Sequence, residues 1–248
     1  MVAMTQVQIN GTEVYKQYSA KGGLQLGTTG YDSYGRGFRW TLNGGVALTA
    51  GKLVASEAPG ANFDELAIDG AHAIGDKTVT VTNGATAITA NMFAGGFMTV
   101  EDDTGEGVMY PIRSHPAADT SATCEITLDV GIAIALGASA TVGLTKHPCA
   151  AVVVAPTSQA GIVIGVPLLA VTAAYYFWAQ FRGPCACLAV GTLVAGKAVF
   201  SSDTTAGGVE DAILAEGTPN TLFNQPLVGV CIEVAATTEY APIMLNIP

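Results

Sequence analysis

Short apolar runs rich in valine, isoleucine, alanine and threonine recur along this chain, broken by glycine, proline and Asn-Gly turns, and they predict strands. Lys77-Thr-Val-Thr-Val-Thr82 alternates strictly and ends in Asn83-Gly84, a hairpin signal. Residues 38–42, Asn43-Gly44-Gly45 and residues 46–48 read as a strand, a tight turn and a second strand, since Asn-Gly favours the positive φ of such turns. Ala50-Gly51 is a further turn, followed by a strand at 52–55. Residues 96–100 and 107–113 flank an acidic turn at 101–106 and predict another hairpin. Strands are also expected at 124–128, 132–136 and 140–144, with a short helical turn at 91–94. Beyond Cys149, apolar runs at 151–154, 162–166, 171–181, 227–234 and 243–247 read as strands. Turns fall at Gly207-Gly208 and Thr218-Pro219-Asn220, and residues 211–215 fit one helical turn or an edge strand.

One pattern is written twice. Leu48-Thr-Ala-Gly-Lys-Leu-Val-Ala-Ser56 is echoed by Leu193-Val-Ala-Gly-Lys-Ala-Val-Phe-Ser201, which predicts two related β-corners. The two copies lie on either side of residues 63–148, so that block reads as an insertion into a base domain made of 38–62 and 149–248. Residues 1–37 are rich in glycine and carry Tyr15, Tyr18, Tyr31 and Tyr34, the pattern of an extended arm that docks on another surface. The expected fold is all-β: a barrel-like or sandwich-like base domain closed against bare edges, an inserted small β-domain and an extended N-terminal arm.

Composition narrows the chemistry. Half of the 248 residues are hydrophobic and only 12% are charged, which suggests that part of the exterior is covered by a partner. The net charge is −10, with no cluster of Lys and Arg, so nucleic acid is disfavoured as a partner. From Lys146 to Arg182 there is no charged residue between the two, yet prolines and glycines divide the run into short buried strands, and no membrane span is expected. Cys124, Cys149, Cys185, Cys187 and Cys231 read as buried reduced thiols, and Cys185-Ala-Cys187 alone makes a poor metal site. Glu101, Asp102, Asp103 and Glu106 are the best candidates for Ca²⁺, against the plainer reading of a solvated turn. His72, His115 and His147 stand apart as surface or turn residues, without a nucleophile beside them. No catalytic motif, cofactor or metal is expected. Two aromatic-plus-Arg clusters, Phe38-Arg39-Trp40 and Tyr176-Phe177-Trp178 with Arg182, carry the residue types that anchor interfaces.

The order of Gly35-Arg-Gly-Phe-Arg-Trp40, Leu48-Thr-Ala-Gly-Lys52, Gly75-Asp-Lys-Thr-Val-Thr-Val81, Ala94-Gly-Gly-Phe97, Gly105-Glu-Gly-Val-Met-Tyr-Pro-Ile112 and Tyr176-Phe-Trp-Ala-Gln180 resembles the capsid decoration, or cement, proteins of tailed bacteriophages. The resemblance spans most of the chain and rests on structural motifs, so no catalytic residue comes with it. It implies a virion protein on the outer capsid surface, bound to major capsid protein and assembled as a homotrimer. Candidate contact residues are then Tyr15, Tyr18, Tyr31, Tyr34, Phe38, Arg39, Trp40, Tyr176, Trp178 and Arg182. Two other readings stand beside it: a tail, fibre or baseplate β-protein with a carbohydrate-binding role, and a secreted enzyme or adhesin built on a β-sandwich. A groove lined by Trp40 or Trp178 with acids would favour sugar; buried tryptophans would count against it.

Overall fold

Valine, isoleucine and threonine favour extended backbone, and the protein is all-β, with short strands joined by turns and one 3-10 turn at Glu13–Tyr15. The computed structural model describes residues 7–211 and 225–248; the turn expected at Thr218-Pro219-Asn220 lies outside them. Along the chain come β1 (Val7–Gln8), β2 (Gln17–Tyr18), β3 (Thr29–Tyr31), β4 (Gly37–Leu42) and β5 (Val54–Ala55). Next are β6 (Leu66–Ala67), β7 (Thr78–Thr82), β8 (Phe97–Asp102), β9 (Met109–Ser114), β10 (Thr123–Leu128) and β11 (Thr141–Thr145). The last group is β12 (Val153–Val154), β13 (Val163–Pro167), β14 (Tyr176–Leu188), β15 (Ala198–Ser201), β16 (Val209–Asp211), β17 (Leu227–Cys231) and β18 (Tyr240–Asn246).

The chain divides into two compact units, Pro59–His147 and the remainder on either side of it. In the first of these the strands run β6-β11-β8-β9-β10-β7, and a bridge between Ile68 and Val81 brings the last strand back to the first. That near-closed barrel is filled by Val79, Val81, Met98, Ile112, Ile126, Leu128 and Val142, all with almost no solvent contact. Closure leaves no long bare edge. In the base unit the sheet runs β1-β3-β4-β14-β18-β17-β15-β16. Its far strand also curls back, because the Val209 carbonyl accepts the Val190 N–H at 2.8 Å just past the end of β14. Leu53, Cys187, Val199, Val228, Ile243 and Leu245 fill the space enclosed.

Both units are built from one device. Isolated bridges pair Leu48 with Val171, Leu193 with Ala235, His72 with Leu136, and Ile88 with Ala118. Three residues past most bridge positions the backbone turns left-handed, at Gly51, Ala174, Gly196, Thr238, Gly75, Asn91 and Ser121. The turned N–H then reaches across to the partner segment: Gly51 to Pro167 O (2.9 Å), Ala174 to Gly44 O (2.9 Å), Gly196 to Cys231 O (2.8 Å) and Thr238 to Ala189 O (3.0 Å). Each pair therefore has a local two-fold character, and each half launches a strand. The duplicated Leu-x-Ala-Gly-Lys pattern marks two halves of this device, one from each of two pairs.

The device overturns several local expectations. Asn43-Gly44 and Asn83-Gly84 do not make simple hairpins, and residues 46–48 and 132–136 are not strands. Both asparagines are buried, and each side chain ties two turns together. The Asn43 amide donates to Val46 O (3.0 Å) and Thr172 O (2.9 Å), and that of Asn83 to Thr86 O (2.8 Å) and Asp119 O (2.9 Å). The N-terminal segment is also not an extended arm over its described part. β1 pairs with β3, β3 with β4, and β2 with β14. Ile9 and Val14 are buried with Phe38, Trp40 and Trp178. Glycine is used at Gly30 for close approach: a Cβ there would sit 2.7 Å from Ile9 and from the Val7 carbonyl.

Candidate interface

Tyr18, Trp40, Tyr176 and Trp178 converge because β2 and β4 lie on the same part of β14. Trp40 stacks on Tyr176 with centroids 5.9 Å apart, meets Trp178 at 5.1 Å and Tyr18 at 5.5 Å. The Tyr18 hydroxyl donates to the Glu13 carboxylate, and burial together with that carboxylate pushes its pKa up to about 12. Phe38 is fully buried below the Arg36 guanidinium. Arg39 lies 4.3 Å over the Phe181 ring and donates to the carbonyl of Pro248, pinning the C-terminus. Tyr31 packs edge-on against Phe181. Most of the expected contact residues are thus core or half-buried. Tyr15 and Tyr34 are exposed, and Arg182 is exposed at the foot of the β14–β18 pairing.

A cavity of about 400 Å³ opens over the aromatic cluster, lined by Glu13, Tyr18, Lys21, Leu24, Trp40 and Trp178 among others. The Trp40 Nε1–H is buried without a partner. The two tryptophans are only 3% and 4% exposed, however, so neither offers a free ring face to a sugar.

The polar candidates do not assemble into chemistry. Among the described residues no group of three or more His, Cys, Asp or Glu side chains could hold a metal ion. The Glu101 carboxylate accepts the Glu65 N–H at 2.7 Å, and Asp102 accepts that of Asp103 at 2.8 Å. All five cysteines are buried thiols. The neighbouring Cys185 side chain and complete burial hold the Cys187 thiol well above its usual range, which suppresses the thiolate that metals bind. His115 is not a surface residue: it is buried, and its Nε2 accepts the Phe93 N–H at 2.9 Å while Nδ1 lies 2.8 Å from Pro116 O. Its two ring nitrogens are spent on holding a turn.

Among the described residues, several exposed apolar side chains lie together on the outward face of β14, β18, β17 and β15. In β14, Cys185 and Cys187 point into the base-unit core, which leaves Pro184, Ala186 and Leu188 outward. In β18, Ala241, Ile243 and Leu245 point in, and Tyr240, Pro242 and Met244 point out. Register places Pro184 opposite Met244, Met244 opposite Val230, and Val230 opposite Ala198. That is one straight cross-strand row without a polar side chain. Leu227 and Phe200 form another opposed pair, with Ile232 exposed beyond Cys231. Tyr240, Met244 and Val230 are 49%, 47% and 43% exposed. The face ends at Glu210, opposite Phe200, whose carboxylate turns away onto the Ser202 hydroxyl and the Asp203 N–H. These positions were not among the expected contact residues. Their signal was present in sequence, since Tyr240-Ala-Pro-Ile-Met-Leu245 and Pro184-Cys-Ala-Cys-Leu188 lack the polar alternation of a strand with one wet face.

Comparison of the chain with protein-family models, curated proteins and solved structures gives no match.

Proposed function

We propose that this protein is a structural virion component that decorates and stabilises the outer surface of a tailed-phage capsid by bridging major capsid protein subunits. The observation that carries the reading is the outward face of β14, β18, β17 and β15, whose central row of Pro184, Met244, Val230 and Ala198 has no polar side chain. A strand apolar on both sides belongs between two layers, and among the described residues Met244, Val230 and Leu227 stay about half exposed on this face. The sequence resemblance supports the same reading, and a net charge of −10 suits the outside of a shell better than contact with packaged DNA. Decoration works by mass action: a protein that binds only the expanded lattice stabilises it by the free energy of that binding. Bridging contacts add through effective concentration, so no single contact has to be strong.

The test is to mix purified protein with expanded, undecorated capsids and pellet the shells. Co-sedimentation at saturating stoichiometry, with shells that survive higher temperature, is the expected result; shells that pellet alone would refute the reading. The tail or fibre reading with a carbohydrate ligand draws on the cavity beside Trp40 and Glu13. It is the weaker one, because the indole faces are packed against Tyr18 and Tyr176.

A further inference from the structure

We propose that Asn10-Gly11 is a site of spontaneous deamidation, a modification that the other two Asn-Gly pairs of the chain, Asn43-Gly44 and Asn83-Gly84, are built to resist. Glycine after asparagine favours the reaction, because no Cβ hinders ring closure. In sequence the three pairs are equal. Their surroundings are not.

The nucleophile is the backbone nitrogen of the glycine, and the carbon attacked is the asparagine Cγ, whose oxygen takes up negative charge. At Asn10 each of these groups is available. Asn10 is exposed, and a Cβ on Gly11 would meet nothing within 4 Å. Among the described residues, neither the Gly11 N–H nor the Asn10 side-chain nitrogen has a hydrogen-bond partner. Asn10 Oδ1 accepts the Thr12 N–H at 3.3 Å and the Thr12 hydroxyl at 3.4 Å. Such a turn folds the carboxamide back along the Gly11 peptide and sets two donors where the charge develops.

The other pairs lack these conditions. Asn43 and Asn83 are only 2% and 3% exposed. The Gly44 N–H donates to Val152 O at 2.9 Å, so that nucleophile is taken. Both side-chain nitrogens are anchored to distant carbonyls, Thr172 O and Asp119 O. Oδ1 of each is buried without a donor, and a negative charge growing there would be neither hydrated nor hydrogen-bonded.

The chemistry needs only hydroxide and water. The Gly11 nitrogen gives its proton to hydroxide and bonds to Asn10 Cγ, and the side-chain nitrogen leaves as ammonia after taking a proton from water. Water then opens the resulting succinimide at either carbonyl, breaking one C–N bond to give aspartate or isoaspartate. Either product adds one negative charge to a chain at −10, on a residue that lines the cavity beside Glu13. Isoaspartate also lengthens the main chain by one methylene between two anchors, the Ile9 N–H on Tyr31 O and the Glu13 N–H on Asn10 O, both 2.9 Å. It therefore strains the segment that buries Ile9 against the Trp40 cluster.

The experiment ages the full chain at mildly alkaline pH, in buffer and in unfolding urea, beside Gly11→Ala, and maps peptides by mass spectrometry with isoaspartate distinguished by fragmentation. In buffer Asn10 should convert at a rate that rises with hydroxide. Asn43 and Asn83 should convert about a hundredfold more slowly, the scale of a missing donor at a developing oxyanion. In urea the three rates should converge. Gly11 is not in left-handed backbone, so G11A should keep the wild-type far-UV spectrum and convert several-fold more slowly. Asn10 intact in buffer but converted in urea, equal rates at the three sites in buffer, or G11A converting as fast as wild type would each overturn the inference. It goes beyond the structural reading above and does not rest on it: shell pelleting tests that reading, and peptide mapping tests this one.

Discussion

Asn83 and Asp32 show how much of this fold depends on single buried polar side chains. The buried Asn83 amide serves two carbonyls, Thr86 O and Asp119 O, through partly buried hydrogen bonds. Asn83→Ala leaves both carbonyls without that donor, and a loss of about 1–2 kcal/mol is expected, read as a lower urea midpoint at unchanged m-value. Asp32 accepts the N–H groups of Tyr34 and Arg36 at 2.9 Å and the Arg36 Nε–H at 2.7 Å. Burial alone would raise its carboxyl, but Arg36 and the two backbone donors outweigh burial and hold it below the usual range. A depressed folded-state pKa contributes stability that is complete above the unfolded value, about 4, and is lost as pH falls through the folded value. Wild type should therefore lose stability below about pH 4. Asp32→Asn should be less stable at neutral pH, with a shallower acid limb in denaturant titrations from neutral to acid pH; parallel limbs would contradict this.

The element that repeats is the bridged pair of turns, and glycine matters in it for different reasons at equivalent places. Gly51 and Gly196 both adopt left-handed backbone, at φ 75° and 79°. A Cβ on Gly196 would meet open space, whereas one on Gly51 would run into the Tyr240 ring. Gly196→Ala should cost about 1 kcal/mol from backbone strain, and Gly51→Ala distinctly more, with a changed Tyr240 environment in near-UV circular dichroism. Equal losses at the two sites would show that Tyr240 does not pack on Gly51. This device was only partly legible in sequence. The Leu-x-Ala-Gly-Lys copies announced two of its halves, because both use glycine at the left-handed position. Of the others, Gly75 keeps the glycine while Ala174, Asn91, Ser121 and Thr238 replace it, so backbone angle and hydrogen bond persist while the letters do not. The same blindness turned Asn43-Gly44 and Asn83-Gly84 into expected hairpins: spacing reports a turn, but not that the asparagine side chain reaches a distant carbonyl. The hairpin of β8 and β9 was readable because its register is local, with Phe97 opposite Pro111 and Thr99 opposite Met109.

At the scale of the molecule, all-β architecture followed from small and β-branched residues, whereas the division between buried and exposed apolar side chains did not. Tyrosines in residues 1–37 read as a docking arm, yet Tyr18 packs on Trp40 and Tyr31 on Phe181. Removing residues 1–37 should therefore unfold the base unit, because it strips β1 to β3 and uncovers the Trp40 cluster. A truncated chain with unchanged thermal stability would contradict that packing. The face on β14, β18, β17 and β15 was hidden for a related reason: a strand apolar on both sides reads alike whether its own chain or another one covers it. Oxidative footprinting distinguishes the two sides most directly. Met244 and Met109 are similarly exposed in the single chain, at 47% and 55%, and only Met244 lies on the proposed face. Hydroxyl-radical labelling of free and of shell-bound protein, read by mass spectrometry, should show Met244 protected several-fold on shell binding while Met109 labels at a constant rate. Met244 labelling as fast as Met109 in every state would contradict the account.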